Sequence, residues 1–83
     1  MKSVAAELAW VRAMCLSGEA RELRQANHVS LSEVGTDVGG ERPLSATTVQ
    51  RWETGKRLPR GDQALAYAAV LRRLRRAARR VPA

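Results

Sequence analysis

The sequence contains no phenylalanine, and its only aromatic residues are Trp10, Trp52 and Tyr67. A hydrophobic core must therefore come mainly from leucine, valine and alanine, a composition that favours closely packed helices. No segment alternates apolar and polar residues over the length of a strand, whereas helix start and stop signals recur along the chain. We therefore expect an all-α fold, and a length of 83 residues predicts a single domain over residues 1–83.

Cysteine and long apolar runs are also scarce. Cys15 is the only cysteine and cannot form an internal disulfide, which is typical of a reducing compartment. No apolar run reaches the roughly 18 to 20 residues that span a bilayer, and the first residues lack the pattern of a secretory signal. These absences predict an intracellular protein with no membrane partner.

Few residues have side chains suited to catalysis or metal binding. Cys15 and the only histidine, His28, lie on different segments, so they form neither a metal cage nor a catalytic dyad. We expect a core thiol at position 15 and a helix-end residue at position 28. The sequence therefore predicts no enzyme, no metal site, no cofactor and no small-molecule ligand.

Acidic residues become scarce in the second half of the chain. Residues 1–41 contain four basic and six acidic residues, a net charge of −2, whereas residues 42–83 contain eleven basic and two acidic residues, a net charge of +9. A strongly basic half usually faces a polyanion, most often nucleic acid. A solvated basic surface is the alternative.

An amphipathic helix is predicted over residues 3–16. Val4, Leu8, Val11 and Cys15 recur at spacings of four, three and four, as on one face of a helix. This helix either caps the rest of the fold or forms a dimer interface.

Further helices are predicted in a core over residues 17–74. Ser17 is the expected N-cap of a helix over residues 19–26. Ser30 and Glu33 form a capping-box pattern before a helix that ends at two glycines, Gly39 and Gly40.

The last predicted helix begins near Gly61 and has an arginine-rich end over residues 72–80. Cations there complement the helix dipole, which explains part of the cluster. Phosphate contact and a solvated tail both remain open for the rest. The arginines concerned are Arg72, Arg73, Arg75, Arg76, Arg79 and Arg80.

The segment over residues 45–61 is a capped helix followed by a basic loop. Ser45 is its predicted N-cap with Thr48 at the capping-box position, and Gly55 can take the left-handed conformation that ends a helix. Val49 and Trp52 lie three residues apart on one face, so we expect Trp52 to pack in the core. The opposite face is free for a partner and carries Ala46, Thr47, Gln50 and Arg51.

Several short matches carry a family resemblance. They are Leu23-Arg24, Glu33-Val34, Gly39 and the run Thr48-Val49-x-Arg51-Trp52-Glu53-x-Gly55-Lys56-x-x-Pro59. With them, residues 19–74 resemble the Cro and phage-repressor (Xre-type) helix-turn-helix family, and the run from Trp52 to Pro59 is the most specific part. The resemblance implies a compact lambda-repressor-like bundle of about five helices, with the helix from Ser45 in the major groove of DNA.

The resemblance also implies roles for single residues. Residues that match base-reading positions are Ala46, Thr47, Gln50 and Arg51, although each is also an ordinary exposed helix residue. Lys56, Arg57 and Arg60 match the loop positions that hold phosphate in the family. Apart from the resemblance, Ser45 and, on the turn before the helix, Arg42 are also expected to contact phosphate; plain solvation is the alternative for these residues. Arg24 and Glu53 match a structural ion pair between the first and third helices of the family.

The chain departs from the family pattern in three places. Gly35 replaces a small alanine, which lowers helix stability by about 0.5 to 1 kcal/mol. The turn before Ser45 is longer by four residues, and this makes the relative angle of the two helices uncertain. Leu31 replaces a glutamine that contacts the DNA backbone, so that contact is missing or is made by Ser30 or Ser32.

These features together predict a Cro-like repressor that occupies a double-stranded DNA operator in the cytoplasm or nucleoid of a bacterial host. Two copies on a two-fold site are expected, because a single helix contacts few base pairs, and a monomer remains an alternative. The other functions that fit are a recombination directionality or architectural factor, and an antitoxin-type interaction module with autoregulatory DNA binding.

Overall fold

A computed structural model describes residues 3–80 of the chain, and these residues form five α-helices and no strand. The helices are α1 (Val4–Ser17), α2 (Glu19–Ala26), α3 (Leu31–Gly39), α4 (Ala46–Glu53) and α5 (Gly61–Arg80). The predictions of an all-α bundle of about five helices, with an additional N-terminal helix and a lengthened turn before α4, are confirmed. None of the helices in this part of the chain is both long and apolar enough to cross a membrane.

Polar caps begin most of these helices where the sequence places them. The hydroxyl of Ser3 accepts a hydrogen bond from the backbone N–H of Ala6 at the start of α1. At α3 both hydrogen bonds of the capping box form, since Ser30 Oγ accepts from Glu33 N–H at 3.0 Å and Glu33 Oε1 accepts from Ser30 N–H at 2.9 Å. The hydrogen bond from Ser30 N–H to the carboxylate, followed by the Ser30 side chain, lowers the pKa of Glu33.

The predicted cap at Ser17 is displaced by one residue. Ser17 is the last residue of α1, and Gly18, with a φ of 85°, separates α1 from α2. The hydroxyl of Ser17 still accepts from Glu19 N–H at 3.2 Å. Glycine takes the boundary because its left-handed backbone conformation lets the chain turn sharply between two helices.

The core lies where α5 packs against α1, α2 and α3, while α4 packs on α3. Trp52 of α4 and Tyr67 of α5 meet near its centre with ring centroids 4.9 Å apart, and both side chains are almost completely buried. α1 buries Val11, Met14 and Cys15 in the same core. The N-terminal helix therefore completes the bundle.

The predicted apolar stripe of α1 extends beyond this core. Val4, the first residue of the stripe, is 60% exposed, and Leu16, which lies outside the stripe, is 65% exposed. Periodicity alone included Val4 in the buried face, but the stripe contacts the core only from Leu8 onward.

Arginines of α5 form ion pairs that the sequence analysis did not predict. Nε and Nη2 of Arg72 donate to the two carboxylate oxygens of Glu7 in α1. The guanidinium carbon of Arg72 lies 4.1 Å from the centroid of the Trp10 ring. Arg73 pairs with Asp37 of α3 at 3.6 Å. These two arginines therefore connect α5 to other helices, and the side chains of residues 79 and 80 lie outside the described part of the structure.

Candidate nucleic-acid interface

α4 has one buried and one exposed face. Val49 and Trp52 are almost fully buried, and Glu53 is 7% exposed. Of the residues predicted to read bases, Thr47, Gln50 and Arg51 are exposed, and Ala46 is half-buried at the edge. Since successive residues turn by about 100° on a helix, the three exposed side chains share one face, opposite the core.

Both ends of α4 are defined by local hydrogen bonds. Ser45 Oγ accepts from Thr48 N–H at 3.2 Å and lies 3.0 Å from Thr48 Oγ1. Past the other end, Gly55 has a φ of 75° and its N–H donates to Trp52 C=O. The Ser45 hydroxyl, also predicted to contact phosphate, is exposed at the helix start but is already used as a cap.

A largely buried ion pair holds α4 against α2. Arg24 Nε and Nη2 donate to the two carboxylate oxygens of Glu53 at 2.6 and 3.0 Å. Arg24 Nη1 donates to Val29 C=O at 3.0 Å, and the bonds to Glu53 raise the pKa of Arg24. The bidentate geometry fixes α4 relative to α2 and to the segment before α3.

The basic loop after α4 is anchored at two points. Pro59 is almost fully buried, and Arg57 N–H donates to Arg51 C=O at 3.2 Å. Lys56, Arg57 and Arg60 are exposed on this loop. A concave surface therefore forms beside α4.

We name this surface, a cleft of about 270 Å³, the arginine cleft. Its polar lining consists of Thr48, Arg51, Arg57, Arg60 and Gln63. Its apolar lining consists of Leu44, Trp52 and Leu58. The guanidinium groups of Arg57 and Arg60 beside this apolar lining suit a phosphate, because cations beside a surface of low polarity are less screened by water. Arg51 belongs both to this cleft and to the exposed face of α4.

The lengthened turn lies directly on α3. Leu44 N–H donates to Gly35 C=O at 3.0 Å, and a Cβ at Gly35 would lie 2.2 Å from Leu44 C=O. A Cβ at Gly39 would lie 2.9 Å from Leu44 N. The glycine at position 35 and the longer turn, which the sequence presented as two departures, are therefore one structural feature.

Arg42 on this turn lies near the arginine cleft. It is exposed and lines a neighbouring depression together with Asp62 of α5. Leu44 and Gln63 line both concavities, so they form the ridge between Arg42 and the arginine cleft. The turn thus extends the basic surface beyond the loop that follows α4.

A residue that the sequence analysis missed is Arg21 of α2. It is exposed and lines a second, smaller cleft on the other side of α4, next to Gln50 and Thr54. The available signal was its spacing of three residues from Arg24, which places both on neighbouring parts of one helix face. Only the tertiary fold, in which Arg24 of α2 pairs with Glu53 of α4, brings Arg21 beside Gln50.

The Cys15 thiol and the Tyr67 hydroxyl are buried in the core, and burial raises the pKa of both. Burial, followed by the charge of Glu53, raises the pKa of the Cys15 thiol to about 12, so the thiol stays protonated at neutral pH. Burial also raises the pKa of Tyr67. Among residues 3–80 no group of histidine, cysteine, aspartate or glutamate side chains is arranged to hold a metal ion.

A comparison with protein families identifies the class of protein. The model of a family described as helix-turn-helix matches residues 21–75, more than half of the chain, including the α3-turn-α4 unit. The chain is therefore a helix-turn-helix protein with a DNA-binding domain. It belongs to the Cro/Xre-type helix-turn-helix family, as the sequence resemblance predicted. This is a DNA-binding family and not an enzyme family. No match was found among curated proteins or among solved structures.

Proposed function

We propose that this protein is a sequence-specific transcriptional repressor of the Cro kind, which acts by occupying an operator in double-stranded DNA. The observation that carries the proposal is the exposed face of α4. Thr47, Gln50 and Arg51 point away from the core on a helix held by the buried pair of Arg24 and Glu53. A rigid helix with free polar side chains is what the major groove accommodates.

Base readout is assigned to the four residues of this face. Arg51 can donate two hydrogen bonds to guanine O6 and N7, and Gln50 can pair with adenine. The methyl groups of Ala46 and Thr47 can contact a thymine methyl group. Ala46 is half-buried, so it contributes a short apolar contact at the edge of the reading face.

Phosphate contacts are assigned to the cations that surround this face. Lys56, Arg57 and Arg60 on the loop, with Arg42 on the lengthened turn, provide four positive charges on exposed side chains. The free N–H groups at the start of α4, next to Ser45, favour an anion through the helix dipole. These contacts fix the register of the protein on the duplex without selecting a sequence.

A bundle that occupies a promoter can repress transcription by its position alone. Residues 3–80 form one bundle, which we propose is one domain, and the reading face of one bundle reaches few base pairs. We therefore propose that two copies bind a two-fold operator as a homodimer. A bacterial cytoplasm or nucleoid is the compartment that this function requires.

The packing of α1 gives less support to the antitoxin alternative, and DNA bending separates the other alternative from occlusion. An antitoxin-type module needs an apolar helix that is free to cover a partner, whereas α1 uses Val11, Met14 and Cys15 inside the bundle. An architectural or directionality factor bends DNA, so a bent duplex in a gel-shift phasing assay would favour that function over simple occlusion.

Selection of bound duplexes from a random pool tests the proposal. We expect one enriched motif with two-fold symmetry, and a preference for it that persists when affinity is measured at several salt concentrations. A pool without an enriched motif, together with affinity that depends on salt alone, would defeat the proposed function.

A further inference from the structure

α4 lies between two clefts on opposite flanks. The arginine cleft is lined on the α4 side by Thr48, Arg51 and Trp52, whereas the second cleft is lined by Gln50, Glu53 and Thr54. At about 100° per residue these two sets lie on opposite sides of the helix. The second cleft has a volume of about 150 Å³ and is completed by Arg21 and Arg24 of α2 and Leu31 of α3.

The charged atoms of the buried Arg24–Glu53 pair in the second cleft are already hydrogen-bonded within the protein. Both carboxylate oxygens of Glu53 accept from Arg24, and the remaining guanidinium nitrogen of Arg24 donates to Val29 C=O. Arg21 is different, because it is exposed and makes no salt bridge within 4.0 Å in the described part of the chain. Arg21 is therefore the cation of this cleft that is free to bind an anion.

Polar side chains near the start of α3 and at the end of α4 are less suited to a phosphate. Ser30 caps α3 and lies against the Glu33 carboxylate, which repels phosphate, and Thr54 Oγ1 donates to Arg51 C=O at 3.2 Å. Ser32 lines a different groove, together with Glu33 and Asp37, whose carboxylates repel phosphate. Neither serine therefore fits the missing contact beside Leu31 as well as Arg21 does.

We propose that Arg21 binds a phosphate of the duplex on the Gln50 flank of α4, opposite the phosphates bound by Arg57 and Arg60. The inference rests on the proposed function, because the phosphate belongs to the duplex that α4 reads. Cations on both flanks prevent α4 from rotating about its own axis in the groove. Arg21 thereby positions Gln50 and Arg51 against the base edges.

Salt-dependent binding of three variants tests this role. The variants are Arg21→Ala, Arg21→Lys and, as a control that removes the same charge, Arg76→Ala. Arg76 is exposed on α5, thirteen residues beyond Gln63 of the arginine cleft and hence about 20 Å further along the helix. The probe is the duplex recovered by selection, or a random duplex of equal length if none is recovered.

We expect Arg21→Ala to reduce the slope of log affinity against log salt by about 0.9, equivalent to roughly tenfold weaker binding near 0.1 M salt. Arg21→Lys should keep the slope of the original chain, since it keeps the charge, and Arg76→Ala should change it much less. Replacing the contacted phosphate of the duplex by a neutral methylphosphonate should weaken its binding to the original chain but should not change its binding to Arg21→Ala.

Two results would overturn the inference. One is a slope for Arg21→Ala equal to that of the original chain, and the other is an equal loss in Arg76→Ala, which would indicate a general effect of charge. Unchanged thermal unfolding of each variant shows that the fold is intact. A failure of the proposed function is seen separately, because the original chain itself would then show no preferred sequence or no duplex binding.

Discussion

Arginines in this protein have different tasks because their surroundings differ. Arg24 is largely buried and bonded to Glu53, and Arg72 lies between a carboxylate and an indole ring, so both stabilise the fold. Arg51 and Arg21 are exposed beside α4 and have no salt-bridge partner in the described residues. A buried and paired guanidinium is structural, whereas a free one beside a concave surface is available to a polyanion.

The charge pair at Glu53 should be far more important for stability than an exposed pair. We expect Glu53→Ala to lower the free energy of unfolding by about 3 to 5 kcal/mol, because it leaves Arg24 buried without a partner. Urea denaturation measures this loss. Asp37→Ala, which removes an exposed pair with Arg73, is the control and should cost less than about 1 kcal/mol. Equal losses in the two variants would contradict this difference in burial.

Cys15 should not react with alkylating agents while the chain is folded. The thiol is 1% exposed and its pKa is raised to about 12 from an ordinary value of 9.0, so at pH 9 it remains protonated where a free thiol is half ionised. Mass spectrometry after iodoacetamide treatment at pH 9 should show no modification without urea and complete modification with it. Rapid modification of the folded chain would show that position 15 is accessible.

The roles of single residues were predictable where they depend on helical spacing. Trp52 was assigned to the core from its distance of three residues to Val49, and it is buried. The partners of Arg72 and Arg73 were not predictable, because the contacting residues lie on α1 and α3, far away in sequence. Arg21 was missed for the same reason, since its neighbour Gln50 belongs to another helix.

At the scale of elements, the unusual part is the turn between α3 and α4. The backbone of Leu44 lies against α3 at Gly35 and Gly39, which allows a longer turn to return closely to the helix that it leaves. The angle between α3 and α4, uncertain from sequence, is thereby set by a backbone contact. Helix ends were easier to predict, since the hydrogen bonds of Ser30 and Ser45 are local.

A methyl group at position 35 should destabilise the fold, although alanine is normally the better helix former. A Cβ there would lie 2.2 Å from Leu44 C=O, so Gly35→Ala must displace the turn. We expect a loss of about 1 to 3 kcal/mol in the free energy of unfolding, measured by urea denaturation. Thr36→Ala, at an exposed position of the same helix, is the control and should be neutral or slightly stabilising. A more stable Gly35→Ala variant would contradict the contact.

At the scale of the whole molecule, the basic residues divide between the surroundings of α4 and the arginine-rich end of α5. Arg42, Arg57 and Arg60 lie around the arginine cleft or next to it, whereas the acidic Glu33 and Asp37 line a groove between α3 and α5. The charges around α4 attract a polyanion to that surface before contact. Under the proposed function, this attraction would bring the reading face of α4 toward the duplex.

The central claim is that α4 reads bases while the loop after it holds phosphates, and one comparison tests it directly. Affinities of Arg51→Ala and Lys56→Ala are measured on the selected duplex and on a set of its single-base variants. We expect Arg51→Ala to cost about 1 to 3 kcal/mol on the preferred duplex and to lose discrimination at one base position. Lys56→Ala should weaken binding to all duplexes equally and lower the salt slope by about one. A uniform loss for Arg51→Ala, or a base-specific loss for Lys56→Ala, would contradict the account.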